Sequence, residues 1–312
     1  MRSFLTASAL LVTASALATT PTIDGLAIPS EFASAAVSVQ DTNTQFGNNE
    51  NELNQMFVTS DSGFMYIGLT GNLADNNALT IFIQTTPLGD TGAVLNTNPP
   101  GPCPGDNPTI LRMFSGTTMD DGADTDPGDG FNPNWALTIS VGKFPGHSDY
   151  QLVMACDLTN LTNNETTSLG IGAVTSRPGQ PTTPGSGLLT GTSGVKIAID
   201  NRNDAGVGDW NGAPTPLPGD AETAESGIEI AIPRSLISLT PNTNVTLFSF
   251  ITNNAQGGGV GPCFRAGYAS NQALPGLGGN GNLANFDTVN PPLLDFSGPQ
   301  GPGTQFVTVL VP

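Results

Sequence analysis

The sequence predicts an all-β fold, a two-sheet antiparallel β-sandwich with long loops rich in Gly, Pro, Asn and Asp. Apolar and polar residues alternate with a period of two in several runs, which is the pattern of strands with one buried face. Helical periodicity is nearly absent. The chain also contains 39 Gly and 26 Pro, which interrupt regular structure at turns. These observations favour sheets joined by elaborate connections.

Strands of a first kind alternate and are expected to be buried on one face only. They comprise residues 135–141, 195–199 and 228–232. In the last run, Ile228 and Ile230 share a face, and Glu229 lies between them. We therefore expect the Glu229 side chain to face solvent.

Strands of a second kind are apolar on both sides, so we expect them in the middle of a sheet or beneath covering loops. They comprise residues 64–69, 79–83 and 245–251. A short turn is predicted at 234–239 after Pro233, and the alternating residues 305–312 predict a final strand. Because no repeat or shift in composition divides these strands into two sets, we expect one domain, residues 19–312.

The first residues predict an export signal. Arg2 precedes a short apolar stretch, residues 4–17, and Ala16-Leu17-Ala18 fits the small-residue pattern of a cleavage site. We expect residues 1–18 to be removed and the protein to be secreted or held at the cell surface. The alternative is an N-terminal strand or helix that stays attached.

The charge of the chain excludes some partners. Lys and Arg total 8 against 26 Asp and Glu, for a net charge of −18. Such a chain is repelled by nucleic acid and by anionic membrane surfaces, so neither is an expected partner. An acidic surface also favours solubility in a salty or extracellular setting without any specific cation function.

The chain has three cysteines. Cys103 and Cys263 each follow a Gly-Pro pair in a loop-like stretch, and an oxidising compartment permits them to form a disulfide. Cys156 lies in an apolar run and is expected to behave as a small buried hydrophobic residue. Since the number of cysteines is odd, other pairings stay open.

Two distant motifs carry a family resemblance. Thr22-Ile23-Asp24-Gly25 lies near the predicted mature N-terminus, and Gly227-Ile228-Glu229-Ile230-Ala231-Ile232-Pro233 lies far along the chain. With Met65-Tyr66-Ile67-Gly68-Leu69, they resemble the carbohydrate-binding family 9 and DOMON-like sandwiches, which typically open with an Ile-Asp-Gly element. The resemblance implies a jelly-roll or DOMON-like sandwich that binds rather than catalyses.

A broader likeness is to exported proteins of planctomycetes and related bacteria, whose activities are not settled. It spans nearly all of the mature chain, and many of these relatives carry a C-terminal sorting helix that is not evident here. The motifs are Asn51-Glu52-Leu53-Asn54, Met65-Tyr66-Ile67-Gly68-Leu69-Thr70-Gly71-Asn72-Leu73, Gly128-Asp129-Gly130-Phe131-Asn132-Pro133-Asn134-Trp135, Asp200-Asn201-Arg202-Asn203-Asp204-Ala205-Gly206-Val207 and Ser270-Asn271-Gln272-Ala273-Leu274-Pro275-Gly276-Leu277.

An acidic loop is the candidate metal site. Its carboxylates are those of Asp120, Asp121, Asp124, Asp126 and Asp129, with no basic residue nearby. Clustered carboxylates repel one another unless a cation or water screens them, and calcium prefers such oxygen ligands. The spacing is not that of an EF-hand. Two interpretations therefore stay open, a calcium site and a solvated loop of Asx turns.

A second polar loop holds Asp200, Asn201, Asn203, Asp204 and Asp209, interrupted by the positive charge of Arg202. The positive charge dilutes the acidic character of this loop. For it we favour tight turns built from Asn and Asp over a metal site.

Aromatic residues in loops are the candidate ligand-binding residues, because amphipathic rings are common binding anchors. Trp210 follows Gly208-Asp209 in a loop and is the first choice, and Tyr268 near Arg265 is the second. Trp135 shares a face with Leu137, so we expect it in the core. Covering one end of the sandwich is the alternative role for Trp210.

The sequence contains few candidate catalytic residues. His147 is the only histidine and lies in a turn-like setting, and no glutamate has the context of a glycosidase carboxylate. The hypothesis is thus an exported non-catalytic protein that binds glycan or extracellular matrix, with calcium as a structural ion. A self-assembling surface protein is the first alternative, and a polysaccharide hydrolase is the second.

Overall fold

The predicted sandwich is confirmed in a computed structural model of the chain, which is mostly β with two antiparallel sheets packed together. The structure describes residues 20–32, 34–75, 77–86, 95, 116–117, 119, 131–143, 152–174, 188–190, 193–209, 219–253, 257–258, 265–266, 269–275 and 306–312.

The first sheet has the strand order β1-β2-β3-β10-β9-β8, and each neighbouring pair is antiparallel. Its strands are β1 (Ser38–Val39), β2 (Asn51–Ser60), β3 (Phe64–Leu73), β8 (Leu188–Thr190), β9 (Lys196–Ile199) and β10 (Gly227–Pro233). In this register Glu52 lies opposite Asn72, and Glu229 lies opposite Gly68.

The second sheet has the order β14-β11-β4-β5-β6-β7, and β15 also pairs with β11. Its strands are β4 (Asn77–Gln84), β5 (Trp135–Lys143), β6 (Leu152–Asn160), β7 (Glu165–Val174), β11 (Thr243–Asn253), β14 (Ala269–Leu274) and β15 (Val307–Val311). A separate small ribbon pairs β12 (Gly257–Gly258) with β13 (Arg265–Ala266). The predicted C-terminal strand is therefore present, as β15.

The main core lies between the two sheets, where the period-two residues of both meet. Met56, Leu69 and Ile230 of the first sheet and Ile81, Ile139 and Leu247 of the second sheet are all fully buried there. Trp135 is half-buried and packs against this core, as predicted. Cys156 also belongs to it and is buried with a free thiol, which agrees with the prediction.

Around β4 and β11 the outer face of the second sheet is buried as well, whereas much of β7 is exposed. Phe82, Phe248 and Phe250 project from it and form a second apolar cluster with Phe131 and Phe306, which come from connecting segments. Ring centroids of Phe131 and Phe306 are 5.5 Å apart, a normal separation for packed aromatic rings. The strands that the sequence marks as apolar on both sides thus have two covered faces.

The outer face of the first sheet is covered by residues 20–32, by the 200–209 loop and by residues 219–226. The prediction that the alternating strands are half-buried is therefore wrong at several positions. Glu229 and Ala231 in β10 are 0% and 1% exposed, and in the second sheet Thr138 of β5 is also 0% exposed. In particular Glu229 does not face solvent, because the N-terminal segment lies over it.

Helix is scarce in the described residues, as expected. It comprises α1 (Ile28–Glu31) and a 3₁₀ turn (Ala221–Thr223), and the predicted turn after Pro233 is also present. In the described part of the chain, no helix combines the length and the hydropathy that crossing a membrane requires.

Several predicted features lie outside the described residues. They are the export signal, residues 1–18, the acidic loop from Asp120 to Asp129, and both cysteines of the proposed Cys103–Cys263 disulfide. The single domain of residues 19–312 stays a prediction.

Candidate functional site

The N-terminal segment, residues 20–32, is built to lie on the first sheet. Ile28 and Phe32 are buried against Phe57, Tyr66 and Ala231, which form the apolar part of the outer face. Pro29 occupies the first turn of α1, where its fixed φ angle suits a helix start. Tyr66 is 4% exposed at this contact, so its ring is not available to stack on a ligand.

Two motifs that are distant in the sequence, Thr22–Gly25 and Gly227–Pro233, contact each other through the side chain of Glu229. Its Oε2 atom accepts hydrogen bonds from the backbone N–H groups of Asp24 at 2.8 Å and Gly25 at 2.7 Å. The N–H of Gly227 in turn donates to the carbonyl of Gly25 at 2.9 Å. Gly25 has φ +81°, and a Cβ atom there would lie 2.8 Å from the backbone nitrogen of Asp200. Only glycine suits that combination of left-handed backbone and close approach.

Burial governs the titration of Glu229. Desolvation raises its pKa from 4.5 to about 7, although the N–H donors of Asp24 and Gly25 act in the opposite direction. The negative charges of Glu31 and Asp24 add to the increase. The second oxygen, Oε1, is buried without a hydrogen-bond partner. The carboxyl group therefore holds the N-terminal segment in place at an electrostatic cost that grows when it ionises.

A second buried carboxyl group lies toward the other end of the same face. We define the Glu52 cluster as Glu52, Asn54, Asn72 and Asn203, all of which are less than 5% exposed. Oε1 of Glu52 accepts from Nδ2 of Asn203 at 2.9 Å and from Nδ2 of Asn54 at 3.3 Å. Nδ2 of Asn72 donates to the carbonyl oxygen of Asn203 at 2.7 Å. The cluster thus joins β2, β3 and the 200–209 loop.

Asn54 enters the cluster because of a β-bulge. The register between β2 and β3 shifts between Leu53 and Gln55, which leaves Asn54 without a strand partner. Its Oδ1 accepts from the N–H of Val207 at 2.8 Å. Gly206, with φ +123°, permits this approach, since a Cβ atom there would collide with the Asn54 side chain.

The Asn side chains of the 200–209 loop replace strand hydrogen bonds at the end of β3. Asn201 accepts from the N–H of Leu73 at 2.8 Å and donates to its carbonyl at 2.7 Å. Asp200 forms an Asx turn with Arg202, whose guanidinium also pairs with the same carboxylate. The predicted turns are present, but Asn201 and Asn203 are buried and tie the loop to the sheet.

Glu52 has an altered pKa for the same reason as Glu229. Desolvation raises its pKa from 4.5 to about 7, and hydrogen bonds from Asn49, Asn54 and Asn203 oppose this increase. Asp209 contributes a further increase by like-charge repulsion. Burial therefore makes the Glu52 carboxyl group easier to protonate than an ordinary glutamate.

The 200–209 loop remains anchored up to Asp209, the residue before Trp210. Oδ1 of Asp209 accepts from the N–H of Asn48 at 2.8 Å. The carbonyl of Gly208 accepts from the N–H of Thr44 at 3.0 Å, and Thr44 also forms a β-bridge with Asp209. Thr44 and Asn48 thus hold the chain immediately before the predicted ligand-binding residue Trp210.

The predicted site residues fall largely outside the part of the chain that the structure describes. Trp210 and Tyr268 lie outside the described residues, and for Arg265 the structure describes the backbone in β13 but not the side chain. The five aspartates of the predicted calcium loop also lie outside. Within the described ranges, no three His, Cys, Asp or Glu side chains come together as a metal-binding group.

Sequence reasoning missed the Glu52 cluster. The available signal was polar residues at Glu52, Asn54 and Asn72 inside strands that also contain runs of apolar residues. Buried polar side chains in such strands require partners, so their presence predicts a second polar segment over the sheet. No family model, curated protein or solved structure matches the chain.

Proposed function

We propose that this is an exported, non-catalytic binding protein that recognises glycan or extracellular matrix through the loop that begins after Asp209. The observation that supports this function is the anchoring of the 200–209 loop by the Glu52 cluster. A loop held by buried hydrogen bonds offers a ligand a rigid starting point, which lowers the entropy lost on binding. Trp210 is the proposed sugar-stacking residue, with Tyr268 and Arg265 as further contacts.

The covered sheet faces support recognition through loops. Large parts of both outer faces are packed against other segments, and in the described part of the chain the exposed strand surface is concentrated on edge strands such as β7. Among the described residues, the exposed large hydrophobic side chains are aliphatic: Leu26, Val39, Ile171 and Leu310. An aromatic binding platform is therefore proposed on the loops that contain Trp210 and Tyr268.

The buried glutamates favour binding over hydrolysis. A glycosidase needs two carboxyl groups that flank the substrate. Glu52 and Glu229 are 0% exposed, and the chain's own N–H groups bond to them. Both side chains serve the fold instead. The proposal also includes a calcium ion bound by the loop from Asp120 to Asp129 and a disulfide between Cys103 and Cys263.

A glycan array tests this function with the wild-type protein and the Trp210→Ala variant. Binding of a defined glycan by the wild type and its loss in the variant is the expected result. Trp135→Phe is the matched control, because it removes an indole that packs against the core and should leave glycan binding intact. Equal binding by the wild type and Trp210→Ala would refute the role of the loop, and no binding to any glycan would refute the function.

Strand β7 favours a second candidate, a self-associating surface protein. In the described part of the chain β7 pairs with β6 alone, and it carries Ile171 at 64% exposure. Its sequence contains no Lys or Pro, residues that commonly protect edge strands from pairing. Glu165, at its start, is its sole charged residue. Two antiparallel copies of β7 would keep these charges at opposite ends.

A further inference from the structure

One oxygen in the Glu52 cluster is buried and unsatisfied. Asn72 is 1% exposed, and its Oδ1 atom has no hydrogen-bond partner. Asn72 lies directly opposite Glu52 in the β2–β3 register, so the two side chains share a face of the sheet. Since Nδ2 of Asn72 donates to the Asn203 carbonyl, the lone oxygen lies within the same cluster.

Among the residues that the structure describes, no positive charge compensates the cluster. The Glu52 carboxylate accepts hydrogen bonds from the neutral N–H groups of Asn49, Asn54 and Asn203. Asp209 brings a second negative charge close enough to affect Glu52. The cation in this loop, Arg202, is engaged by Asp200. A buried carboxylate beside an unsatisfied oxygen is costly unless a cation or a proton compensates it.

A calcium ion would compensate the Glu52 carboxylate and would also satisfy the Asn72 side-chain oxygen. Calcium accepts mixed carboxylate, amide and backbone carbonyl oxygens and tolerates irregular geometry, whereas magnesium requires a near-ideal octahedron. The side-chain nitrogen of Asn203 bonds to both Glu52 Oε1 and the carbonyl oxygen of Ala205. Rotation of this amide exchanges its nitrogen for its oxygen, which would turn the same position into a ligand.

We propose that the Glu52 cluster is a calcium site, with the Glu52 carboxylate and the side-chain oxygens of Asn72 and Asn203 as ligands. The carbonyl oxygen of Ala205 is the backbone ligand. This site relies on amide and carbonyl oxygens, and for that reason it does not require three acidic side chains. The bound ion fastens β2, β3 and the 200–209 loop together. The proposal depends neither on glycan binding nor on the loop from Asp120 to Asp129.

Calcium titration of chelator-treated protein at pH 8 tests the site by calorimetry and by thermal unfolding. A rise in melting temperature of about 5 °C is expected at saturating calcium, because selective binding to the folded state stabilises it. Magnesium should produce a much smaller rise. Glu52→Gln should weaken calcium binding about tenfold or more, as expected for the loss of a metal ligand.

Two controls separate this site from other sources of calcium binding. Glu229→Gln neutralises the other buried glutamate of the same sheet face and should retain the full response. A triple Asp120→Asn, Asp121→Asn and Asp124→Asn variant should retain the Glu52-dependent part of the response. A response in Glu52→Gln equal to that of the wild type would overturn the proposal, as would no response of the wild type to millimolar calcium.

A second variant keeps the test decisive where Glu52→Gln fails to fold. Asn72→Leu removes the unsatisfied oxygen, preserves the approximate volume of the side chain and leaves the carboxylate in place. Calcium affinity is expected to fall about tenfold or more in this variant. Unchanged affinity would show that the oxygen is not a ligand and would overturn the site as described.

Discussion

Asp24 and Glu229 are 205 residues apart in the sequence and are joined by a 2.8 Å hydrogen bond from the Asp24 N–H to the Glu229 carboxylate. The bond fixes the N-terminal segment to the middle of the first sheet. It also brings the two motifs together in the fold, because the Glu229 carboxylate accepts hydrogen bonds from the backbone turn at Gly25.

Replacing Glu229 separates its role as an acceptor from its charge. Glu229→Ala is expected to lower the free energy of unfolding by about 2 kcal/mol, because the N–H groups of Asp24 and Gly25 lose their acceptor. Glu229→Gln retains an acceptor oxygen and should be more stable than Glu229→Ala. Urea unfolding at pH 7 measures both. Equal destabilisation by the two variants would contradict the assigned hydrogen bonds.

The pH dependence of stability should follow the Glu229 carboxyl group. Its folded-state pKa, about 7, lies above the ordinary value of 4.5, so folding favours the protonated form. The stabilisation is complete below pH 4.5 and is lost as the pH rises through 7. Relative to Glu229→Gln, the wild type should lose up to about 3 kcal/mol between pH 5 and pH 8. A constant difference across this range would rule out the raised pKa.

Gly206→Ala should disturb the Glu52 cluster. The added Cβ atom collides with Asn54 and requires a positive φ angle, so a loss of about 2 kcal/mol or more is expected. Gly142→Ala, in β5, is the matched control, because a Cβ atom there has no neighbour within 4 Å. Chemical denaturation of both variants measures the difference, and a Gly206→Ala protein as stable as this control would contradict the close approach.

Ile171→Lys tests the self-association of β7. A lysine on an exposed edge strand opposes pairing with a second copy, so the variant is expected to be more monomeric than the wild type. Sedimentation velocity over a range of concentrations measures the change. Leu310→Lys, which changes an exposed side chain of β15, is the control. Identical association of the wild type and Ile171→Lys would exclude this edge as the interface.

The Cys156 thiol should be unreactive in the native protein. Burial raises its pKa well above the ordinary value, and Asp157 adds to the increase, so the reactive thiolate is scarce. Alkylation followed by peptide mapping is expected to label Cys156 in denaturant and to leave it unlabelled in native buffer. Rapid labelling of Cys156 under native conditions would contradict its place in the core.

Period-two alternation was sufficient to predict many of the strands. Leu137, Ile139 and Ile230 point into the core as predicted, because a pleated strand places alternate residues on one face. The same rule cannot say what covers the opposite face. Alternation places Thr138 and Glu229 on the faces opposite the core, yet both are fully buried, and the distant N-terminal segment covers Glu229.

In the 200–209 loop, too, the sequence predicted the local turns but not the contacts with distant strands. Asn and Asp residues predicted turns, and Asp200 forms one with Arg202. The partners of Asn201 and Asn203 lie on β3 and β2, more than a hundred residues earlier in the chain. Local sequence carries no information on such pairing, so the Glu52 cluster could not be assembled from it.

The sequence alone determined the class of fold, several of its strands and the burial of Cys156, because alternation and turn residues act over a few neighbouring positions. The tertiary structure decided that Glu229 is buried beneath the N-terminal segment and that Glu52 lies in a buried cluster with three asparagines. Both outcomes depend on contacts between remote segments, in which desolvation and hydrogen bonding act together. The pKa values near 7 of these two glutamates are the physical consequence of that packing.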